Sequence, residues 1–147
     1  MLKSTIQLYI NSFSGLSREI WLLSGVTLIN RIGMMVLPFL TLYTTQELGF
    51  TMVEAGIATS FFGFGSLVGS WIGGKMTDRI GEFKTQFWSL FISGFTYFLL
   101  LLIRDFYVFC AGIFIAAFIA DMFRPAMMSA VGTYSKPETR ARAMSLI

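Results

Sequence analysis

Long apolar runs interrupted by short polar clusters set the pattern of this chain. Four runs, at residues 18–43, 52–76, 85–103 and 106–133, are joined by a polar connection at 44–51, a charged stretch at 73–84 and a brief polar turn at Arg104-Asp105. A polar segment from Tyr134 to Arg142 follows, and a further apolar run opens at 143–147. None of the runs alternates with period two, and each is about as long as a helix needs to cross a hydrocarbon layer, whereas a barrel strand takes about ten alternating residues. With no water in the bilayer core to satisfy backbone groups, such runs are helices. The pattern therefore predicts an all-α integral membrane protein with four spans and the start of a fifth. Residues 1–17 mix Leu2, Ile6 and Ile10 with Lys3, Gln7 and Asn11, lack the continuous apolar core of a signal peptide, and are expected to lie as a cytoplasmic segment along the membrane surface. Ser17 is placed to cap the first span with Glu19 in its opening turn, Thr51 is placed to cap the second, and Pro38 should bend the first near its outer end.

Composition agrees with a bilayer as solvent. Of 147 residues only 13% are charged and 55% are hydrophobic, with 16 Phe and a mean hydropathy of +0.71, whereas soluble domains carry about a quarter charged residues. The net charge of +3 changes the picture only through its placement. Basic residues stand singly beside apolar runs, not in a patch or stripe that would suit nucleic acid. Lys3, Arg18, Lys75, Arg79, Lys84, Lys136, Arg140 and Arg142 fall on one side of the predicted spans, with Arg104 on the other. The side rich in Lys and Arg is the cytoplasmic one, so the N-terminus is cytoplasmic, and the loops holding Glu47 and Arg104 face outward. One cysteine, Cys110, and no histidine exclude an internal disulfide, a Cys/His zinc site and histidine-based catalysis. No nucleophile with a base, no metal cluster and no strand-borne phosphate loop is visible, so neither an enzyme nor a cofactor is expected.

Gly65, Gly69 and Gly73 recur every fourth residue in the second span, shadowed by Ser66, Ser70 and Gly74. Small residues at that spacing let another backbone approach closely. That neighbour is either another helix of the same bundle or a second copy. The charged stretch reads Gly73-Gly74-Lys75-Met76-Thr77-Asp78-Arg79-Ile80-Gly81-Glu82-Phe83-Lys84.

In that stretch, and in its place between the second and third spans, the chain resembles the major facilitator superfamily of secondary transporters. The signature loop of that family has the form G-x-x-x-D-R-x-G followed by basic residues, and Gly74, Asp78, Arg79 and Gly81 occupy those positions, with Lys84 the basic residue that follows. Phe123-Arg124-Pro125-Ala126 and the later Pro137-Glu138-Thr139-Arg140-Ala141-Arg142-Ala143 are similar to the junction between the fourth and fifth helices of the family. Two departures stand out: Glu82-Phe83 replaces the usual basic pair, and Gly112 to Phe118 lacks the early arginine of the family's fourth helix. The resemblance implies the N-terminal part of a twelve-helix bundle whose remaining helices, the C-terminal half included, lie outside these residues. It also implies a role for Asp78 in steadying one conformation against the positive end of a helix dipole.

A charge in the middle of a membrane span costs about 2.5–3.5 kcal/mol on insertion scales and marks a pathway by default. Arg31 lies in the first span beside Asn30; Asp121 and Arg124 lie in the fourth, three residues apart and so on one face. In the resembled fold these two helices line the central cavity, which makes Asn30, Arg31, Asp121 and Arg124 candidates for a substrate or proton path. The competing reading is a structural pair, Asp121 with Arg31 or with Arg124, that locks helices together. Arg31-Ile32-Gly33-Met34-Met35 also echoes Arg124-Pro125-Ala126-Met127-Met128, either as the trace of an internal repeat or by chance in a chain with 9 Met. The expected function is transport of a small organic solute or drug by alternating access across the inner cell membrane, with protons as a candidate coupling species. The alternatives are a complete four-helix exporter working as an oligomer and a non-transporting membrane scaffold or assembly protein.

Overall fold

The computed structural model describes residues 16–147, so Lys3 and the interfacial placement expected for the N-terminal segment lie outside the described residues. Seven helices follow in order: α1 Arg18–Gly33, α2 Val36–Gln46, α3 Met52–Ile80, α4 Glu82–Leu100, α5 Phe106–Asp121, α6 Phe123–Tyr134 and α7 Arg140–Leu146, with no strand among the described residues. Among the described residues three helical stretches are long and apolar enough to cross a membrane: Arg18–Gln46, Met52–Ile80 and Phe106–Tyr134, each of 29 residues. At 1.5 Å per residue each reaches roughly 44 Å, against a hydrocarbon core of roughly 30 Å. The 19-residue α4 is long enough but less apolar. Its Thr85, Gln86, Ser89 and Ser93 are buried against α5 and α6, while Phe87, Trp88, Phe91, Phe95 and Phe98 point outward. The polar side of this helix is thus turned into the bundle, where Gln86 Nε2 donates to the carbonyl of Ala126 at 3.2 Å.

Two of the long stretches are interrupted, and proline accounts for both. The sequence predicts one first helix over 18–43; it is instead α1 and α2, with Met34 and Met35 in a turn between them. Pro38 has no N–H for the carbonyl of Met34, four residues back, and its ring crowds that carbonyl. Hydrogen bonding continues across the turn in altered register, Met34 N–H to Asn30 O at 3.0 Å and Met35 N–H to Ile32 O at 3.2 Å. The fourth span is likewise divided at Met122, because Pro125 leaves the carbonyl of Asp121 without its helical donor. Met122 keeps helical dihedrals (φ −62°, ψ −22°), so the rod continues through the interruption.

The charged stretch between α3 and α4 is shorter as a turn than its sequence suggests. Helix continues through Lys75, Asp78 and Arg79 to Ile80, and α4 begins at Glu82, so the chain reverses at Gly81 alone. Gly81 has φ +88° and ψ 159°, a conformation that side chains with a Cβ rarely adopt. At the opposite end, Thr51 and Glu54 form a reciprocal capping box: Thr51 N–H donates to Glu54 Oε2 at 2.8 Å, and Glu54 N–H to Thr51 Oγ1 at 3.3 Å. Asp105 caps α5 by accepting from Val108 N–H at 3.0 Å. Ser17 is the N-cap residue of α1, but its hydroxyl donates to the carbonyl of Tyr134 at 3.2 Å instead of capping its own helix. Ser24 Oγ makes a similar bond to the carbonyl of Leu146 at 3.2 Å, so α1 is tied to the end of α6 and to α7.

The most extensive helix pair is α3 with α5. A Cβ added at Gly69 would lie 2.9 Å from Phe118 Cα, and one at Gly73 would lie 2.6 Å from Met122 Cα; at Gly65 it would collide with the carbonyl oxygen of Phe114. The glycine stripe therefore faces α5 of the same chain, so these three positions are not open to a second copy. Around this seam Phe62, Phe109, Ile113, Ala116 and Ala117 form one apolar cluster, and Ile20, Leu23, Phe123, Met127 and Ala143 form another where α1, α6 and α7 meet.

Candidate functional site

Asp121 is the last residue of α5, at the interruption that Pro125 causes, and is only 3% exposed. One turn on, Arg124 donates to it from Nε, with Nε–Oδ1 at 2.8 Å, and keeps 56% of its side chain exposed. Of the two pairings left open by the sequence, Asp121 takes Arg124. No carboxylate among the described residues comes within ion-pair distance of Arg31.

Two adjoining cavities lie along this part of the bundle. One, of ≈ 190 Å³, is bounded by Ile29, Asn30, Gly33 and Met34 of the first span, Phe62 of α3, Leu90, Ser93 and Tyr97 of α4, and Ala120 and Asp121 of α5. The other, of ≈ 240 Å³, is bounded by Thr27, Asn30, Arg31 and Met34 on one side and Phe123, Arg124, Met127 and Met128 on the other. Asn30 and Met34 are common to both. Thr27, Asn30, Arg31 and Met34 follow the i, i+3, i+4, i+7 spacing of one helical face. The structure thus gathers the four residues expected from the sequence around two neighbouring spaces, Asp121 on the first and Arg31 with Arg124 on the second. The two similar segments that begin with Arg31 and Arg124 face each other across the second cavity.

Three polar lining residues were not singled out by their sequence: Thr27, Ser93 and Tyr97. Thr27 could have been found by stepping one helical turn back from Arg31. Ser93 and Tyr97, four apart on a helix otherwise rich in phenylalanine, carry the weaker signal of a polar stripe. The residues of the charged stretch lie apart from both cavities. Asp78 and Arg79 are exposed in the last turn of α3, Gly74 is part-buried a turn earlier, and Lys84 is exposed in the first turn of α4. Lys75 stands over the Trp71 ring, 3.8 Å from its centre. Among the described residues no group of His, Cys, Asp and Glu is arranged to hold a metal ion.

The chemistry available is that of recognition and charge compensation. A half-exposed arginine, a second arginine without a nearby acid, a buried carboxylate and an amide lie together beside apolar walls.

The sequence profile described as Major Facilitator Superfamily matches residues 22–147. An uncharacterized MFS-type transporter, YceJ, of Bacillus subtilis (strain 168) is 29% identical over 108 residues, which cover 74% of this chain and 27% of that protein. The chain thus spans well under two thirds of the length of this relative. No solved structure matches it. With the profile spanning both cavities, the glycine stripe and the charged turn, the chain belongs to the Major Facilitator Superfamily and is a multi-pass membrane protein of a transporter family.

Proposed function

We propose that this chain supplies the first four spans of a twelve-helix transporter that moves a small organic solute or drug across the cell membrane by alternating access. The helices missing from it form the opposite wall, and proton uptake and release at Asp121 couples to the movement. The observation that carries the reading is the placement of Asp121 and Arg124 at the proline-interrupted level of the fourth span, on cavities they share with Asn30 and Arg31 in the last turn of α1, just before the first span is interrupted. Discontinuous helices that present charged and polar groups near mid-membrane are the usual construction of a transporter site. Under this reading α4 crosses the membrane with its polar side inward, and the end carrying Asp78, Arg79 and Lys84 is cytoplasmic. Asp78 there steadies one conformation against the N-terminus of a helix in the other half.

Alternating access needs two halves rocking about a site between them. The test is solute flux into proteoliposomes holding either the intact transporter or residues 1–147 alone. Saturable flux from the intact protein and none from the segment is expected, and Asp78→Asn should slow flux in the intact protein without reducing insertion. Robust saturable flux from the segment would replace this reading with that of a four-helix exporter.

A further inference from the structure

The cavity between α1 and α6 is rich in hydrogen-bond donors and carries uncompensated positive charge. Thr27 is 2% exposed, and its Oγ1 is the one buried side-chain polar atom among the described residues with no hydrogen-bond partner. Helical threonines ordinarily return the hydroxyl to the carbonyl four residues back, as Thr44, Thr59, Thr77 and Thr85 do here. Thr27 does not, and it lines the cavity with Asn30, Arg31 and Arg124. A buried hydroxyl left unpaired carries its full desolvation penalty, so the Thr27 donor is open to a ligand or a water in the cavity it lines.

Charge points to the kind of ligand. Two guanidinium groups, Arg31 and Arg124, border the space, and the carboxylate within reach, Asp121, meets Arg124 through Nε. That leaves the positive charge of Arg31, exposed at the edge of the cavity, without an acidic partner among the described residues. The remaining walls are Met34, Phe123, Met127 and Met128, which offer no anionic group. The neighbouring cavity, reached past Asn30 and Met34, is walled by the apolar Ile29, Gly33, Phe62, Leu90 and Ala120, with Ser93, Tyr97 and Asp121 at its polar side.

We propose that the cavity of ≈ 240 Å³ between α1 and α6 is the subsite for an oxyanion group of the transported solute, and that the preferred solute is a small amphipathic organic anion such as a carboxylate. Arg31 and Arg124 hold the anionic head, Thr27 Oγ1 donates to it, and the apolar body extends into the adjoining space. Arginine suits this role because its planar fork matches a carboxylate. The proposal rests on the transporter reading and adds the substrate class to it.

The test is thermal unfolding of the purified intact transporter with benzoate and octanoate, against neutral benzamide and cationic octylamine. The two acids should raise the unfolding temperature and the amide and amine should not. Arg31→Gln should weaken the apparent affinity for benzoate by about tenfold or more, the loss of one charge-assisted hydrogen-bonding partner. Thr27→Val, which keeps shape and removes the donor, should weaken it less and serves if Arg31→Gln does not fold. Equal stabilisation by benzoate and benzamide, or benzoate binding that survives in both variants, overturns the proposal. So does stabilisation that appears with phosphatidylglycerol in nanodiscs and with neither acid, since the oxyanion is then a lipid headgroup. Saturable flux of a neutral or cationic solute without acid binding would remove the anion site and leave the transporter reading standing. Acid binding without flux of any solute would uphold the site and fault the transporter reading.

Discussion

At the scale of single residues, position within the bundle matters more than residue type. Gly69 and Gly74 are both glycines on α3, yet an added Cβ meets the Phe118 backbone at the first and nothing within 4 Å at the second. Gly69→Ala should therefore destabilise the protein by about 1–3 kcal/mol through overpacking. Gly74→Ala should be neutral or stabilise by up to about 1 kcal/mol, since alanine is the better helix former. Thermal unfolding of the two variants in one detergent checks the contrast, and equal midpoints would mean that α3 and α5 are not in backbone contact. The charged candidates were legible because Arg31, Asp121 and Arg124 are conspicuous in apolar surroundings. Thr27 was not, because a threonine in a membrane helix normally satisfies itself on its own backbone. Its orphaned hydroxyl becomes visible only once the helix is folded.

At the scale of elements, apolar runs gave the long helices, and turn chemistry gave Thr51 as a cap. Both interruptions were harder to place. Pro38 suggested a bend at its own position, but a proline acts on the carbonyl four residues back, which put the break at Met34-Met35. Pro125 acts in the same way on Asp121, and so places the buried acid where the helical ladder lacks one bond. The charged stretch looked like a loop because its residues are polar, but polar residues also end helices, and its only non-helical member is Gly81. If the interruption at Asp121 serves the transport cycle, Pro125→Ala should restore the missing donor, raise the unfolding temperature and slow flux. Pro137→Ala, in the exposed turn before α7, should leave flux unchanged. Flux in Pro125→Ala equal to that of the parent would reduce the break to a packing detail.

At the scale of the whole molecule, the spans form one bundle in which α3 and α5 make a tight seam and α1 closes over α6 and α7. The orientation proposed from the placement of basic residues has its own check. Single cysteines at Glu47, Lys84, Arg104 and Lys136, all exposed, can be probed in intact cells with an impermeant thiol reagent, and the buried Cys110 should stay silent. Positions 47 and 104 should label and positions 84 and 136 should not; the opposite pattern would invert the molecule. In the proposed mechanism solute passes between the first and fourth spans, at the buried carboxylate. Asp121→Asn is nearly isosteric and removes the charge that Arg124 meets, so it should cut saturable flux by about tenfold or more. Arg124 is half exposed, so the cost in stability should fall below the roughly 3–5 kcal/mol of breaking a fully buried pair. For the transporter proposed above, the decisive measurement is solute flux per inserted molecule for Asp121→Asn beside its parent. A large loss of flux at equal insertion is predicted, and full flux would contradict a path that runs past Asp121.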